Sequence, residues 1–340
     1  MPSQALQGLT TESGWKIDQI ITDKLGSGGN FCTRYLAVSP NGEKGFLKAM
    51  DLANTLDDIG LLQSTVNQYV FEQDILQVCK DRRLTRVVIP LDAGKIVVPN
   101  FNPPSNIVYY VIFEKADGDL RKNHFDVDDK RWVAALKALH HVALGIEQLH
   151  LIGIAHQDVK PSNVLSFKND EFKVSDLGRV VDRAGSSPFS QTHFPGDHSY
   201  KPIEMFFNVT SLDFHVRESC DMYMVGSLIY HMIEGVNINS RLRSEAFLLD
   251  PAINQRPYTE ALPYLLSAYR TVLDRYKKQC ETIFGEKIAQ GLYDIVFEMC
   301  HPNFDRRGNP KLGSKVGQYS IRRYVSKLSN LIKVAEYSGI

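Results

Sequence analysis

Short runs rich in apolar and β-branched residues occupy positions 15–50 and read as strands joined by turns. They are WKIDQIIT, then the glycine-rich KLGSGGN, then FCTRYLAV and GFLKAMD, the last two separated by Pro40-Asn41-Gly42. Asn and Gly tolerate positive φ, so that turn predicts a hairpin. Between 55 and 80 the period changes. Leu61, Leu62, Val66, Val70, Ile75, Leu76 and Cys79 recur at roughly helical spacing, which predicts one long helix or two short ones. RVVIPLDAG and NIVYYVIFE read as buried strands around a loop rich in Pro and Asn at 99–106. After residue 116 the pattern is mainly helical: 128–151, with Trp132, Leu136, Leu139, Val142, Ile146 and Leu149 along one face, then 219–234 and segments within 259–300 and 318–337. The prediction is an α+β chain with a small strand-rich part, a hinge near 114–118 and a larger helical part. Residues 182–199 are polar and rich in Gly, Ser and Pro, and predict a long mobile loop. No internal repeat or low-complexity segment interrupts the pattern.

Composition narrows the partners. The chain has 340 residues of which 43% are hydrophobic, enough for a real core in two packed lobes. Lys plus Arg (39) balances Asp plus Glu (39), so no overall field favours nucleic acid or an anionic membrane, and neither is expected as a partner. Five scattered cysteines without a C-x-x-C pair argue against a disulfide framework and a zinc site, and fit a reducing cytoplasm. The N-terminal stretch lacks a charged region followed by an apolar run, and no stretch reaches about 18 uninterrupted apolar residues. Neither a signal peptide nor a membrane span is expected, and the Met-Pro start lacks the myristoylation pattern.

The chemistry is concentrated in His156-Gln157-Asp158-Val159-Lys160-Pro161-Ser162-Asn163, followed by Asp176-Leu177-Gly178. Magnesium takes hard oxygen ligands, usually one or two carboxylates plus substrate phosphates. Asp176 with Asn163 would supply them while Asp158 receives a hydroxyl proton. Phosphoryl transfer is the reaction this arrangement implies. Upstream, Gly26-Ser27-Gly28-Gly29-Asn30 lies between two predicted strands, where glycines let backbone N–H groups approach phosphates. Lys48 falls on the last strand of the hairpin, and Glu72 in the following helix is placed to neutralise it. Singly, each has a bland reading as a hairpin turn, a solvated lysine or a surface glutamate. Their joint order is what an ATP site on a two-lobed scaffold requires.

Together these residues resemble the protein kinase signature set, and more narrowly the eukaryotic-like Ser/Thr protein kinases of bacterial type that lack the Arg of the HRD motif. The resemblance spans about residues 18–310 and implies a bilobal kinase-like fold. Its parts are an N-terminal extension (1–14), an N-lobe (15–116) and a C-lobe (117–340) forming one kinase domain. By this similarity Gly26 and Gly28 cover the nucleotide phosphates, within a binding stretch that includes Ser27 and Gly29. Lys48 contacts the phosphates and Glu72 pairs with Lys48. Phe113 stands at the gatekeeper position, and Glu114 to Ala116 at the adenine-contacting hinge. Asp158 is implied as catalytic base and Lys160 as the cation that steadies the transferring group. Asn163 and Asp176 are implied as ligands of Mg2+, with Mn2+ as an alternative. GDHSYKPIE resembles the end of an activation segment closing at Glu204. Asp221 in CDMYMVGSLIY matches the anchor of the catalytic loop, and Arg306 or Arg307 is the partner of Glu204, spacing leaving the two open. Lys160 also separates the chain from small-molecule kinases on the related fold and moves the acceptor toward a Ser or Thr hydroxyl of a protein, whose identity stays open, as does the oligomeric state.

Four positions depart from the family pattern. Gln157 replaces the arginine between His156 and Asp158, so activity is expected not to require phosphorylation of Ser186, Ser187, Ser190 or Thr192. Phe31 replaces the third glycine of the phosphate loop, and Phe46 replaces the small residue that roofs the adenine. Asp197 replaces the threonine that contacts the catalytic Asp, and would repel Asp158 unless Lys160 or the substrate screens the pair. A fifth, milder change is Leu177 for Phe, which still supplies an apolar plug, to stack with His156 and Leu76 in a spine that links the lobes. The leading reading is an ATP- and Mg2+-dependent Ser/Thr protein kinase. Its alternative is a pseudokinase acting as a nucleotide-binding scaffold or sensor.

Overall fold

A computed structural model describes residues 1–22, 32–50, 52, 55–121 and 132–338. The glycine-rich stretch Gly26, Ser27, Gly28 and Gly29, together with Phe31, lies outside the described residues. Five strands form one antiparallel sheet: β1 (Lys16–Ile20), β2 (Cys32–Val38), β3 (Lys44–Met50), β4 (Pro90–Val97) and β5 (Ile107–Glu114), in the order β1-β2-β3-β5-β4. The predicted hairpin between β2 and β3 closes with Gly42 at φ 82°, where a Cβ would be strained. Strand periodicity then decides which residues face the cleft. Gly45, Leu47 and Ala49 of β3 are buried in the small-lobe core with Trp15, Tyr35 and Ile112, so Phe46 and Lys48 project from the opposite face.

The predicted helix is a single one, α1 (Ile59–Asp81), started by Asp58, whose carboxylate accepts from the Leu61 N–H. It buries Ile75, Leu76 and Cys79 against the larger lobe. Residues 1–14 pack on the sheet: Leu6 is fully buried, and the Tyr35 hydroxyl donates to the Ser3 carbonyl at 2.8 Å. One expectation needs correction. RVVIPLDAG is not one strand, because β4 starts only at Pro90; residues 86–88 instead bond to Val174 in the other lobe. Proline has no N–H to give a ladder, which suits it to a strand's first position.

The larger lobe follows β6 (Gly118–Asp119) with α2 (Trp132–Leu151), β7 (Ile154–Ala155), β8 (Val164–Phe167), β9 (Glu171–Val174) and β10 (Val181–Asp182). Helices α3 (Phe214–Glu234), α4 (Ile238–Leu249), α5 (Tyr258–Phe284), α6 (Glu286–Met299), α7 (Lys315–Gln318) and α8 (Arg322–Ser338) complete it. Every residue of α3 from Arg217 to Tyr230 is buried, which makes this helix the centre of the lobe. Arg307, not Arg306, pairs with Glu204: its guanidinium donates to both carboxylate oxygens at 2.8 and 2.6 Å, fully buried, with Tyr223 beneath it. No helix among the described residues is long and apolar enough to cross a membrane.

Residues 182–199, expected as a long mobile loop, lie against the large lobe. Ser187, Phe189 and Phe194 are buried, and the segment turns tightly against the large lobe. Its polar composition conceals two aromatic anchors and a set of carbonyls that meet a buried cation on α3.

Candidate active site

Between the lobes lies a cavity of about 540 Å³. Ile20, Leu36, Phe46, Val88, Phe113 and Leu165 give it an apolar wall, and Lys48, Glu72, Asn163 and Asp176 a charged and polar end. Two parts of the chain far apart in sequence meet at that end. The Lys48 ammonium is 3.5 Å from Glu72 on α1 and 4.0 Å from Asp176 beyond β9. Glu72, and then Asp176, hold the Lys48 pKa well above the ordinary lysine range despite the opposing cost of burial, so this group stays charged.

The loop from β7 to β8 carries Asp158, Lys160 and Asn163. Gln157 and Asp176 both adopt positive φ, 63° and 64°, a backbone state that non-glycine residues adopt rarely and that clusters at functional sites. Asp221 on α3 holds the loop from below. Its carboxylate accepts from the N–H groups of His156 and Gln157 at 2.7 and 2.8 Å, and bonds His150 at 2.8 Å. His156 accepts from the Asp158 N–H through Nδ1, so its proton sits on Nε2 and donates to the Ser175 carbonyl. It is the packed core imidazole the sequence suggested, in a lobe-spanning interior that also buries Leu76 and Leu177.

Three donors converge on the Asp158 carboxylate. Oδ1 accepts from the Asp197 N–H at 2.8 Å, and Oδ2 from the Asn163 amide at 2.9 Å and the Lys160 ammonium at 3.1 Å. Lys160 is also 3.5 Å from the Asp197 carboxylate, so it stands between the two acids. Burial works against the Asp197 charge, but the Ser199 hydroxyl and N–H, with Lys160, outweigh it and hold this carboxyl below its usual range. The contact that a threonine side chain makes elsewhere comes here from the backbone, and the feared repulsion is screened.

Phe46 and Phe113 are direct cross-strand neighbours, so two rings border the cavity side by side where β3 meets β5. Glu114, Lys115 and Ala116 line its edge, and the Glu114 carboxylate is taken by Lys173 of β9. That leaves the backbone of this segment to meet a ligand. Sequence reasoning did not see Lys173 or Arg217, because an isolated lysine on a strand or arginine on a helix carries no pattern. Cys32 also lines the cavity, and burial pushes its thiol pKa up, in keeping with an unreactive group.

For a divalent cation, the donors present are the carboxylate of Asp176 and the amide oxygen of Asn163, whose N–H groups face Asp158. Among the described residues no group of three or more His, Cys, Asp or Glu is arranged to hold a metal. Two hard oxygens on the cavity wall fit a cation that completes its shell with substrate oxygens and water.

The description "protein kinase domain" matches residues 21–311 of this sequence. The chain belongs to the protein kinase family. Among its relatives, a probable cell division protein kinase of Encephalitozoon cuniculi is 31% identical over 127 residues, 37% of this chain and 38% of the relative. A Wee1-like protein kinase of Arabidopsis thaliana is 26% identical over 202 residues, 58% of this chain and 35% of that one. The serine/threonine-protein kinase PknB of Mycolicibacterium smegmatis is 28% identical over 154 residues, 44% and 23% of the two chains. The kinase described here thus matches less than half the length of each of these relatives.

Proposed function

We propose that this kinase transfers the γ-phosphoryl group of ATP, with Mg2+, to a Ser or Thr hydroxyl of a protein in the cytoplasm, and that it does so without phosphorylation of its activation segment. The observations that carry the reading are the Asp158 carboxylate, oriented by three donors, and the Lys48 ammonium, paired with both Glu72 and Asp176. Asp158 takes the proton of the acceptor hydroxyl as the new oxygen–phosphorus bond forms and the bond to the β-phosphate oxygen breaks, releasing ADP. Lys48 holds the phosphates, and Lys160, already bridging Asp158 and Asp197, neutralises the transferring group. Asp176 and Asn163 would hold a divalent cation, which would supply further charge neutralisation for the phosphates. Phe113 and Phe46 border the adenine, and the backbone of 114–116 meets its edge. Gly26 to Gly29 would cover the phosphates.

Independence from activation-segment phosphorylation is supported by Gln157. Its amide is neutral, and it donates to the Arg217 carbonyl and to Asp221. Ser187 is buried with its hydroxyl donating to the Val180 carbonyl, which leaves no room for a phosphate. The Phe46–Phe113 pair is what favours the second reading, a nucleotide-binding scaffold, since two rings narrow the adenine space.

The test is transfer of label from ATP, with Mg2+, to a generic basic protein, comparing phosphatase-treated protein with an Asp158→Asn variant. Label that appears with the treated protein and vanishes in the variant is the expected result. ATP binding without transfer across a range of pH would replace catalysis by the scaffold reading.

A further inference from the structure

Arg217, near the start of α3, is with Arg307 one of the two largest fully buried side chains among the described residues, yet it forms no carboxylate ion pair among them. Its guanidinium is met by backbone carbonyls of the activation segment: Nη1 donates to His193 at 2.5 Å, and Nη2 to Thr192 at 2.5 Å and Ser190 at 3.4 Å. On its other side, the Arg217 carbonyl accepts from the Gln157 amide at 2.9 Å, and the same amide donates to Asp221 at 3.0 Å. Both acceptors are oxygens, so the orientation of the Gln157 amide is fixed. The catalytic loop, α3 and residues 190–193 are therefore joined through one arginine.

Four residues further on, the segment reaches the reacting carboxylate. Gly196 lies directly on the Gln157 carbonyl, and the Asp197 N–H bonds Asp158. Moving residues 190–193 away would leave a buried cation unanswered, a state the low-dielectric interior penalises steeply. Burial lowers the Arg217 pKa, with Asp221 acting in the opposite direction. Position 157 is fully buried and touches Arg217, so a cation there would stand beside this one.

Resting on the kinase reading above, we propose that Arg217 is a positioning residue that does internally what a phosphate and a catalytic-loop arginine do together. It holds residues 190–193 by their own carbonyls, and thereby keeps 196–197 seated on Asp158.

The experiment uses the full chain after phosphatase treatment, as wild type, Arg217→Met and Arg217→Lys. Steady-state transfer, binding of a non-hydrolysable ATP analogue and limited proteolysis within 182–199 are the readouts. Arg217→Met should lose at least about tenfold in kcat while KM for ATP stays within about twofold, and be cut faster within 182–199. Arg217→Lys, which keeps the charge but reaches fewer carbonyls, should recover part of kcat. Retention of kcat within about twofold in Arg217→Met, with normal analogue binding, overturns the proposal.

If neither variant binds the analogue, the wild type decides. Treated wild-type protein cut within 182–199 as fast as a free peptide of that sequence overturns the staple, and resistance supports it. Failure of the underlying reading looks different. Wild type that loses activity on phosphatase treatment refutes phosphate independence, and the variants are then compared in the untreated state. Wild type with no transfer at all refutes catalysis, and proteolysis alone then judges Arg217.

Discussion

Gly196→Ala should disable transfer while leaving the fold and the nucleotide cavity intact. The backbone at Gly196 is not left-handed, so the substitution acts through space alone. An added Cβ would stand 1.9 Å from the Gln157 oxygen, 3.0 Å from its carbon and 3.2 Å from the Asp158 Cα. All three are backbone atoms, so no side chain can swing aside. A tolerable carbon–oxygen approach is about 3.3 Å, which requires the activation segment to withdraw by roughly 1.4 Å. The Asp197 N–H bond to Asp158, now 2.8 Å, would stretch beyond bonding range. Loss of a hydrogen bond to a charged group is worth about 1.5–3 kcal/mol. A misplacement of about 1 Å costs on the order of a hundredfold in rate, which is about 2.7 kcal/mol. The two routes agree. Steady-state transfer from labelled ATP to a basic protein should show kcat down about a hundredfold, with binding of a non-hydrolysable analogue unchanged. An alanine variant within about threefold of wild type, ~0.7 kcal/mol, would refute the reasoning by showing that the segment yields without moving Asp197.

Arg307→Met should lower the unfolding free energy by about 3–5 kcal/mol, because it strands the buried Glu204 carboxylate. Chemical denaturation checks this, and a loss below about 1 kcal/mol would mean that the large lobe relaxes around the acid. Acid sensitivity should depend on His141, whose pKa burial, and then Arg86, push down from 6.5 to about 4. A histidine held neutral in the fold contributes fully above 6.5. As pH falls from 6.5 towards about 4 the unfolded chain binds the proton first, so stability is lost across that window. His141→Gln should therefore shrink the difference in unfolding free energy between pH 7 and pH 5; an unchanged difference would show that other groups set the acid limb.

The elements whose spacing carries chemistry were legible in the sequence. Lys48, Glu72, Asp158, Asn163 and Asp176 stand out by residue type, by their order along the chain and by the kinase resemblance; Lys48 pairs with Glu72 and Asp176 at the cavity, and Asn163 beside them bonds Asp158. Other features depend on geometry that spacing does not encode. Arg306 and Arg307 are adjacent, and only the turn Phe304–Arg306 decides which one reaches inward to Glu204. In 182–199 the sequence does not show the backbone carbonyls that Arg217 meets, because carbonyls are the same in every residue. Asp197 looked like a liability for a related reason: the bond to Asp158 comes from its N–H, and its carboxylate is turned to Lys160 and Ser199.

Among the bonds that cross from the small lobe to the large one, two sets fall at neighbouring residues of β9. Lys173 takes the Glu114 carboxylate, and Val174 exchanges backbone bonds with residues 86–88. Mechanically, this is an axle. Rotation about the line through 173–174 leaves both crossings intact, whereas sliding one lobe past the other breaks them. A cleft hinged on that line would open at the side away from β9.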